Sequence, residues 1–212
     1  MEKPVIIFGA SGLGKVALEI FESNGIVIYG FLDDDKALHG QQIGEVSVLG
    51  KTDDAGFLKL IGHKCEAFVA VDDNALRKGL VKMLNDKRHV MPTNAIHQRA
   101  YVAPSAYLGH GNLLSVGTTL NAFAKVGQHC ILHANATLDY EVELGDFVQV
   151  GAGSTIGAGA KLENEVFVGA GAVILPGVTV GKGARIGAGS VVLADVAAKE
   201  TVLGNPAQPF KR

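Results

Sequence analysis

The chain has 212 residues, 48% of them hydrophobic and 19% charged, with 19 basic and 21 acidic side chains and a formal net charge of −2. This length accommodates one large domain or two smaller ones, and this composition excludes a disordered chain. The near-neutral balance and the lack of Trp exclude an electrostatically driven nucleic-acid or membrane-surface binder and a base-stacking platform. Cys65 and Cys130 are isolated from each other, so two buried thiols are expected, with neither a disulfide framework nor a metal motif. The opening "MEKPVIIFGA" has too short an apolar run for a signal peptide or a membrane span. A cytoplasmic protein without membrane insertion is expected.

Residues 4–90 read as alternating strands and helices. "PVIIFGA" is a short apolar, β-branched run of the kind that forms a buried parallel strand. "GASGLGKVALEIFESNG" follows as a Gly-rich turn opening a helix, with Val16, Ala17, Ile20 and Phe21 at a 3.6-residue period and Gly25 just past the end. "IVIYGFLDDD" is a second strand and "EAFVAVDDN" a third, followed by a helix over "NALRKGLVKMLND" capped by Asn74. This order predicts a small doubly wound α/β domain over residues 1–90. Gly9, Gly12 and Gly14 follow a strand and open a helix, where amide groups and the helix dipole favour a phosphate. The spacing GxxGxG differs from the dinucleotide GxGxxG, which favours a nucleotide sugar over NAD. Asp33 and Asp34 end the second strand, where an acidic residue meets a ribose or base in such sheets.

After a linker over residues 91–101 the pattern changes. Every sixth residue from Val102 to Val192 is Val, Leu or Ile, sixteen in succession, and four positions after each comes a small or β-branched residue, from Ala106 to Val196. Gly commonly follows the aliphatic position, as in "LGDFVQ" and "VGAGST". A hexapeptide period with one obligatory aliphatic residue predicts a β-helical solenoid over residues 102–197, with the aliphatic side chains stacked inward and Gly serving the corners. Residues 198–212 break the period and are expected to cap the last coil.

The repeat resembles the left-handed β-helix of the hexapeptide acyltransferases. Together with "GASGLGK", "GFLDDD", "LPGVTVGKGARIGAGSVV" and "VLGNPAQP", it resembles the bacterial acetyltransferases that modify nucleotide-linked amino sugars or sialic acid. That resemblance implies a homotrimer and an N-terminal domain holding the nucleotide sugar at Gly9, Ser11, Gly12, Leu13, Gly14, Asp33 and Asp34. It also implies acetyl-CoA bound along the β-helix between subunits, with contacts at Gln149, Ala170 and Ala188, and Lys182 and Arg185 as candidates for its phosphates. In the family the segment matching "LDYEVELGDF" carries a His general base followed by an acid. Here Tyr140 takes the place of the His, and Glu141 keeps the acid. Leu13 and Gln149 replace two further histidines, and His133 stands where the family has Asn.

Acetyl transfer to an amine needs positioning, an oxyanion stabiliser and removal of a proton. A phenol titrates near ~10 and an imidazole near ~6.5, so Tyr is the poorer base at neutral pH. A general base contributes roughly 10²–10⁴-fold, about 3–5 kcal/mol, against about 7–11 kcal/mol from positioning two reactants. Losing the usual base slows such an enzyme without abolishing it. His133, Tyr140 and Glu141 are therefore the candidate catalytic residues, with His133 taking the proton. A trimer that binds nucleotide sugars without transferring acetyl is the competing expectation. A zinc hydratase of the same β-helix type needs three His ligands; His110, His129 and His133 are available at spacings that do not suit it, so no metal is expected.

Overall fold

The structure is a computed structural model that describes residues 3–210. It divides between Gln98 and Arg99 into two compact units. The first is a five-stranded sheet built from β1 (Val5–Phe8), β2 (Ile28–Leu32), β3 (Gln42–Ile43), β4 (Val46–Gly50) and β5 (Glu66–Val69), in the order β3-β4-β2-β1-β5. β1 pairs parallel with β2 and β5, β2 pairs parallel with β4, and only β3 runs antiparallel. Three α-helices accompany the sheet, α1 (Gly12–Ser23), α2 (Ala55–Leu58) and α3 (Asn74–Arg88), with a 3-10 turn over Lys36–Leu38.

The alternation along β1 explains why both sheet faces are covered. Ile6 and Phe8 join Leu32, Leu58, Val69 and Leu84 in one core cluster. On β5, Phe68 presents its ring edge-on to Phe21 of α1, with centroids 5.6 Å apart. Each buried aliphatic side chain contributes roughly 1.5–3 kcal/mol of transfer free energy. The strand read as third in the sequence is β5, because the hairpin β3–β4 and helix α2 intervene. Their signal was two short runs around Gly44, which adopts φ 60°.

The cap of α3 also differs from the sequence reading. The N-cap is Asp73, whose side chain accepts from the Leu76 amide at 2.8 Å. Asn74 is the first helical residue, and its side-chain oxygen accepts from Arg77. Two carboxylates precede the helix, and a carboxylate at N-cap satisfies an amide that the helix leaves open while also meeting its positive end.

In the second unit sixteen two-residue strands recur every six residues from Tyr101–Val102 to Val191–Val192. They form three parallel stacks, the faces of a triangular prism. The outward residues of the first face run Tyr101, Thr119, Thr137, Thr155, Val173, Val191. Those of the second run Tyr107, Lys125, Glu143, Lys161, Thr179. Those of the third run Leu113, Ile131, Gln149, Phe167, Arg185, where Thr201–Leu203 extends the stack. The periodic aliphatic residues are buried from Leu114 to Val192, while Val102 and Leu108 in the first coil are half-buried. A residue in the interior of a stack needs a coil on both sides for full burial, which the first coil has on one side only.

The glycines serve two purposes. A Cβ on Gly169, directly after an aliphatic residue, would stand 2.5 Å from the Ala188 amide nitrogen, so that position needs Gly for close stacking of coils. The left-handed backbone falls two residues later. There Gly gives way to Phe123, His129, Asn135, Glu141, Phe147 and Glu165, all at φ between 57° and 68°. The corner conformation expected of the first position thus belongs to the third. The segment read as a linker carries a short strand, Ala95–Ile96, and the terminal segment carries Thr201–Leu203 and Gln208–Pro209.

Candidate active site

Two sites emerge, one in each unit. The first is a cavity of about 380 Å³ at the carboxyl ends of the parallel strands of the α/β unit. It lies where β1 has β2 on one side and β5 on the other, the switch point at which doubly wound sheets take ligands. Its polar wall is Ser11, Asp33, Asp34 and Thr52, beside Gly9; its apolar wall is Val71, Ala75, Leu76 and Leu80, the last three from the first turns of α3.

The carboxylates here build the wall as well as line it. Asp33 Oδ2 accepts from the Ala10 amide at 2.8 Å and Oδ1 from the Asp35 amide at 2.9 Å. Asp34 accepts from the amide and hydroxyl of buried Thr52 at 3.0 and 2.9 Å. Arg77, 1% exposed, donates to the carbonyls of Val71 at 2.6 Å and Asp72 at 3.1 Å. That fixes the loop between β5 and α3 that forms the opposite wall. Gly9 adopts φ +103°, and a Cβ there would meet the Ala70 carbonyl oxygen at 2.5 Å.

Of the residues expected here, Gly9, Ser11, Asp33 and Asp34 line the cavity. Gly12 opens α1 with unobstructed space beside it. Leu13 is 4% exposed and faces the core, and Gly14 packs its Cα against the Gly9 carbonyl, so neither offers a side chain to the cavity. Leu13 is apolar on the buried side of an amphipathic helix, which is why it turns inward. Sequence reading missed Thr52 and the α3 wall. The exposed Leu76, one turn before Leu80, was the available signal.

The second site lies on the solenoid. The edge between its third and first faces carries His133–Ala134–Asn135 and, in the three coils that follow, Gly151–Ala152–Gly153, Gly169–Ala170–Gly171 and Gly187–Ala188–Gly189. Those three coils form a gutter without side chains beyond a methyl group. Cβ atoms added at Gly153, Gly171 and Gly189 would meet nothing within 4 Å. Gly171 and Gly189 donate to the carbonyls of Ala152 and Ala170, both at 2.8 Å. By contrast, the amides of Ala134, Ala152, Ala170 and Ala188 donate to no acceptor among the described residues. They form a row of outward donors spaced by one coil, about 4.8 Å. Ala170 and Ala188 are exposed, and Gln149 is buried on the third face two residues before Gly151.

His133 heads this gutter. Its amide donates to Val150 and its carbonyl accepts from Ala136 and from the Thr118 hydroxyl. Tyr140 and Glu141 occupy the next edge, between the first and second faces, separated from His133 by the strand Thr137–Leu138. Tyr140 is 54% exposed, and its amide donates to Asp139 Oδ1 at 2.8 Å. Glu141, exposed and in the left-handed region at φ 60°, lines a 440 Å³ groove on the second face with Phe123, Lys125 and Lys161. Lys125 lies 3.1 Å and Lys161 3.5 Å from the Glu143 carboxylate. The hydrogen bond and charge of Lys125, with the charge of Lys161, hold the Glu143 carboxyl below the usual carboxylate range. Among the described residues no group of His, Cys, Asp and Glu is arranged to hold a metal ion. No helix among them is long and apolar enough to cross a membrane.

A sheet-topped nucleotide-type cavity together with a hexapeptide solenoid defines a hexapeptide-repeat acyltransferase. The family model of the PglD N-terminal domain matches residues 4–84. Those of the hexapeptide repeat of succinyl-transferase and the bacterial transferase hexapeptide match residues 124–159 and 159–194. A mutant of GDP-perosamine N-acetyltransferase from Caulobacter crescentus, solved with CoA and GDP-perosamine, is similar at a TM-score of 0.91 and 30% identity, covering 100% of this chain and 99% of that one. PerB from the same organism, also with CoA and GDP-perosamine, reaches TM-score 0.90 and 31% identity over the same shares. The acetyltransferase domain of PglB from Neisseria gonorrhoeae, bound to acetyl coenzyme A, gives TM-score 0.90 and 27% identity over 99% of this chain and 100% of that one. A curated relative from Acanthamoeba polyphaga mimivirus is 28% identical over 129 residues, 60% of this chain, and the chain spans about a quarter (24%) of its length. The chain belongs to the nucleotide-sugar acetyltransferases of the hexapeptide-repeat class, and its solenoid is a left-handed β-helix.

Proposed function

We propose that this protein transfers the acetyl group of acetyl-CoA to an amino group of a nucleotide-linked sugar, acting as a cytoplasmic homotrimer. The carrying observation is the gutter: three coils of one edge stripped to Ala and Gly, continuing a row of four amides that donate to no acceptor among the described residues, with an imidazole at its head. A thioester arm laid along it finds donors for its amide carbonyls and, at the Ala134–Ala152 level, for the carbonyl oxygen that becomes negative in the transition state. The nucleotide occupies the cavity of the α/β unit, its base against Ala75, Leu76 and Leu80. The amine attacks the thioester carbon, the carbon–sulfur bond breaks, and CoA leaves as thiolate. His133 takes the amine proton and hands it on.

Within one chain His133 lies on a different edge from Tyr140 and Glu141. In a threefold assembly that turns the first face inward, one chain's gutter meets its neighbour's Tyr140–Glu141 edge, so the trimer completes the site. That face carries only Tyr, Thr and Val outward, whereas the second face carries a ladder of ion pairs. The reading that this is a nucleotide-sugar-binding trimer without transferase activity draws on Tyr140, where the family has its base. Thiol release from acetyl-CoA across a panel of GDP-, UDP- and dTDP-linked amino sugars decides between them. Turnover with at least one acceptor is expected. Tight binding of nucleotide sugars with no thiol released from any would favour the binding reading.

A further inference from the structure

We infer that Asn135 binds the acceptor: its carboxamide takes a hydroxyl of the sugar whose amine stands beside His133. The inference rests on the proposed acetyl transfer and adds to it a residue that selects the sugar. From Ser115 to Gly189 the edge that carries the gutter has five coils, and its left-handed position holds Gly117, Asn135, Gly153, Gly171 and Gly189 in turn. Asn135, at φ 59°, alone presents a side chain there. A left-handed backbone penalises any Cβ, least for Asn and Asp, so glycine would serve this corner as it serves the other four. The turn itself does not call for the carboxamide.

Its placement sets it apart from the donor. A Cβ on Gly117 would collide with the Asn135 carboxamide oxygen, so the side chain leans onto the coil above His133, into room that glycine leaves. The gutter that takes the acyl arm runs the other way, through the coils of Ala152, Ala170 and Ala188. The Asn135 amide is tied to the Val116 carbonyl at 2.9 Å, while the carboxamide makes no hydrogen bond among the described residues. Asn135 is exposed, whereas Ser115, the polar side chain one coil above His133, is only 9% exposed.

The chemistry fits an acceptor sugar. His133 and Asn135 stand two residues apart on one corner, at most about 7 Å along the chain, a span that one pyranose ring with its substituents bridges. A carboxamide both donates and accepts, as a sugar hydroxyl does. It carries no charge, so it does not favour ammonium over the neutral amine that attacks the thioester, as a carboxylate there would.

The test uses Asn135→Gly in the full-length protein, because glycine removes the carboxamide and suits the backbone. Calorimetry follows binding of GDP-, UDP- and dTDP-linked amino sugars and of the three nucleoside diphosphates alone, and thiol release follows transfer. The variant is expected to unfold in urea at the parent's midpoint or above it. The amino sugar that the parent binds is expected to bind about fivefold more weakly, as fits the loss of one neutral hydrogen bond. Its nucleoside diphosphate should bind as before, and the KM for acetyl-CoA should not change. An unchanged affinity for the amino sugar, equal weakening of the nucleoside diphosphate, a raised KM for acetyl-CoA or a lower midpoint in urea overturns the assignment. A parent protein that binds an amino sugar and releases no thiol with any of them overturns the transferase reading, and the binding comparison still decides for or against Asn135. A parent that binds none of them overturns both.

Discussion

At the residue scale the proposed chemistry turns on His133. Under the proposed mechanism His133→Ala lowers kcat by about 10²-fold or more and leaves the KM for acetyl-CoA nearly unchanged, because the side chain acts on the proton and not on donor binding. A full-rate His133→Ala enzyme would remove His133 from the mechanism. Glu143 offers a separate test. Its carboxyl is held low by Lys125 and Lys161, so the stability it contributes is present above the ordinary carboxylate pKa and is lost as pH falls through its own lower value. Its side chain is 41% exposed, which limits the effect to about 0.5 kcal/mol. Glu143→Gln should therefore be slightly less stable than the parent at pH 7 and equal to it in acid or high salt, as measured by urea denaturation. A difference that persists in acid would assign the effect to packing.

At the element scale the two glycine positions of the gutter make opposite demands. Gly169→Ala places a Cβ against the backbone of the next coil and should cost several kcal/mol, because the coil cannot give way. Gly171→Ala, at φ +67° with open space beside it, should cost about 1–2 kcal/mol. Chemical denaturation of the two variants gives that order; the reverse would mean that coil spacing is not the constraint. Arg77→Ala should cost about 2–3 kcal/mol, since it leaves the Val71 and Asp72 carbonyls without their donor, and should weaken nucleotide binding as the loop relaxes.

The same elements show what the sequence could reveal. The inward residues from Leu114 to Val192 were legible because one period dictates burial at every sixth position. The left-handed corners were less legible, because Phe123, His129, Asn135, Glu141 and Phe147 occupy five of them in succession where the coils before and after have glycine. Gly9, Asp33 and Asp34 were legible from their position at strand ends. Thr52 was not, since its role depends on a parallel strand, β4, that brings it to Asp34 from 18 residues away. The Asp73 cap lost out in the sequence reading to an adjacent Asn of nearly equal cap preference.

At the scale of the whole molecule the proposed site is divided between chains. His133 and the gutter lie on one edge and Tyr140 and Glu141 on the next; the proposed closed threefold ring of identical, head-to-tail contacts would unite them. The direct measurement mixes two variants, His133→Ala and the double variant Tyr140→Ala, Glu141→Ala, each assembled and each slow alone. After co-refolding in equal amounts, about a quarter of the sites receive both intact edges, and thiol release should recover to about a quarter of the parent rate. Mixed trimers that remain as slow as either variant would contradict a site shared between neighbouring chains.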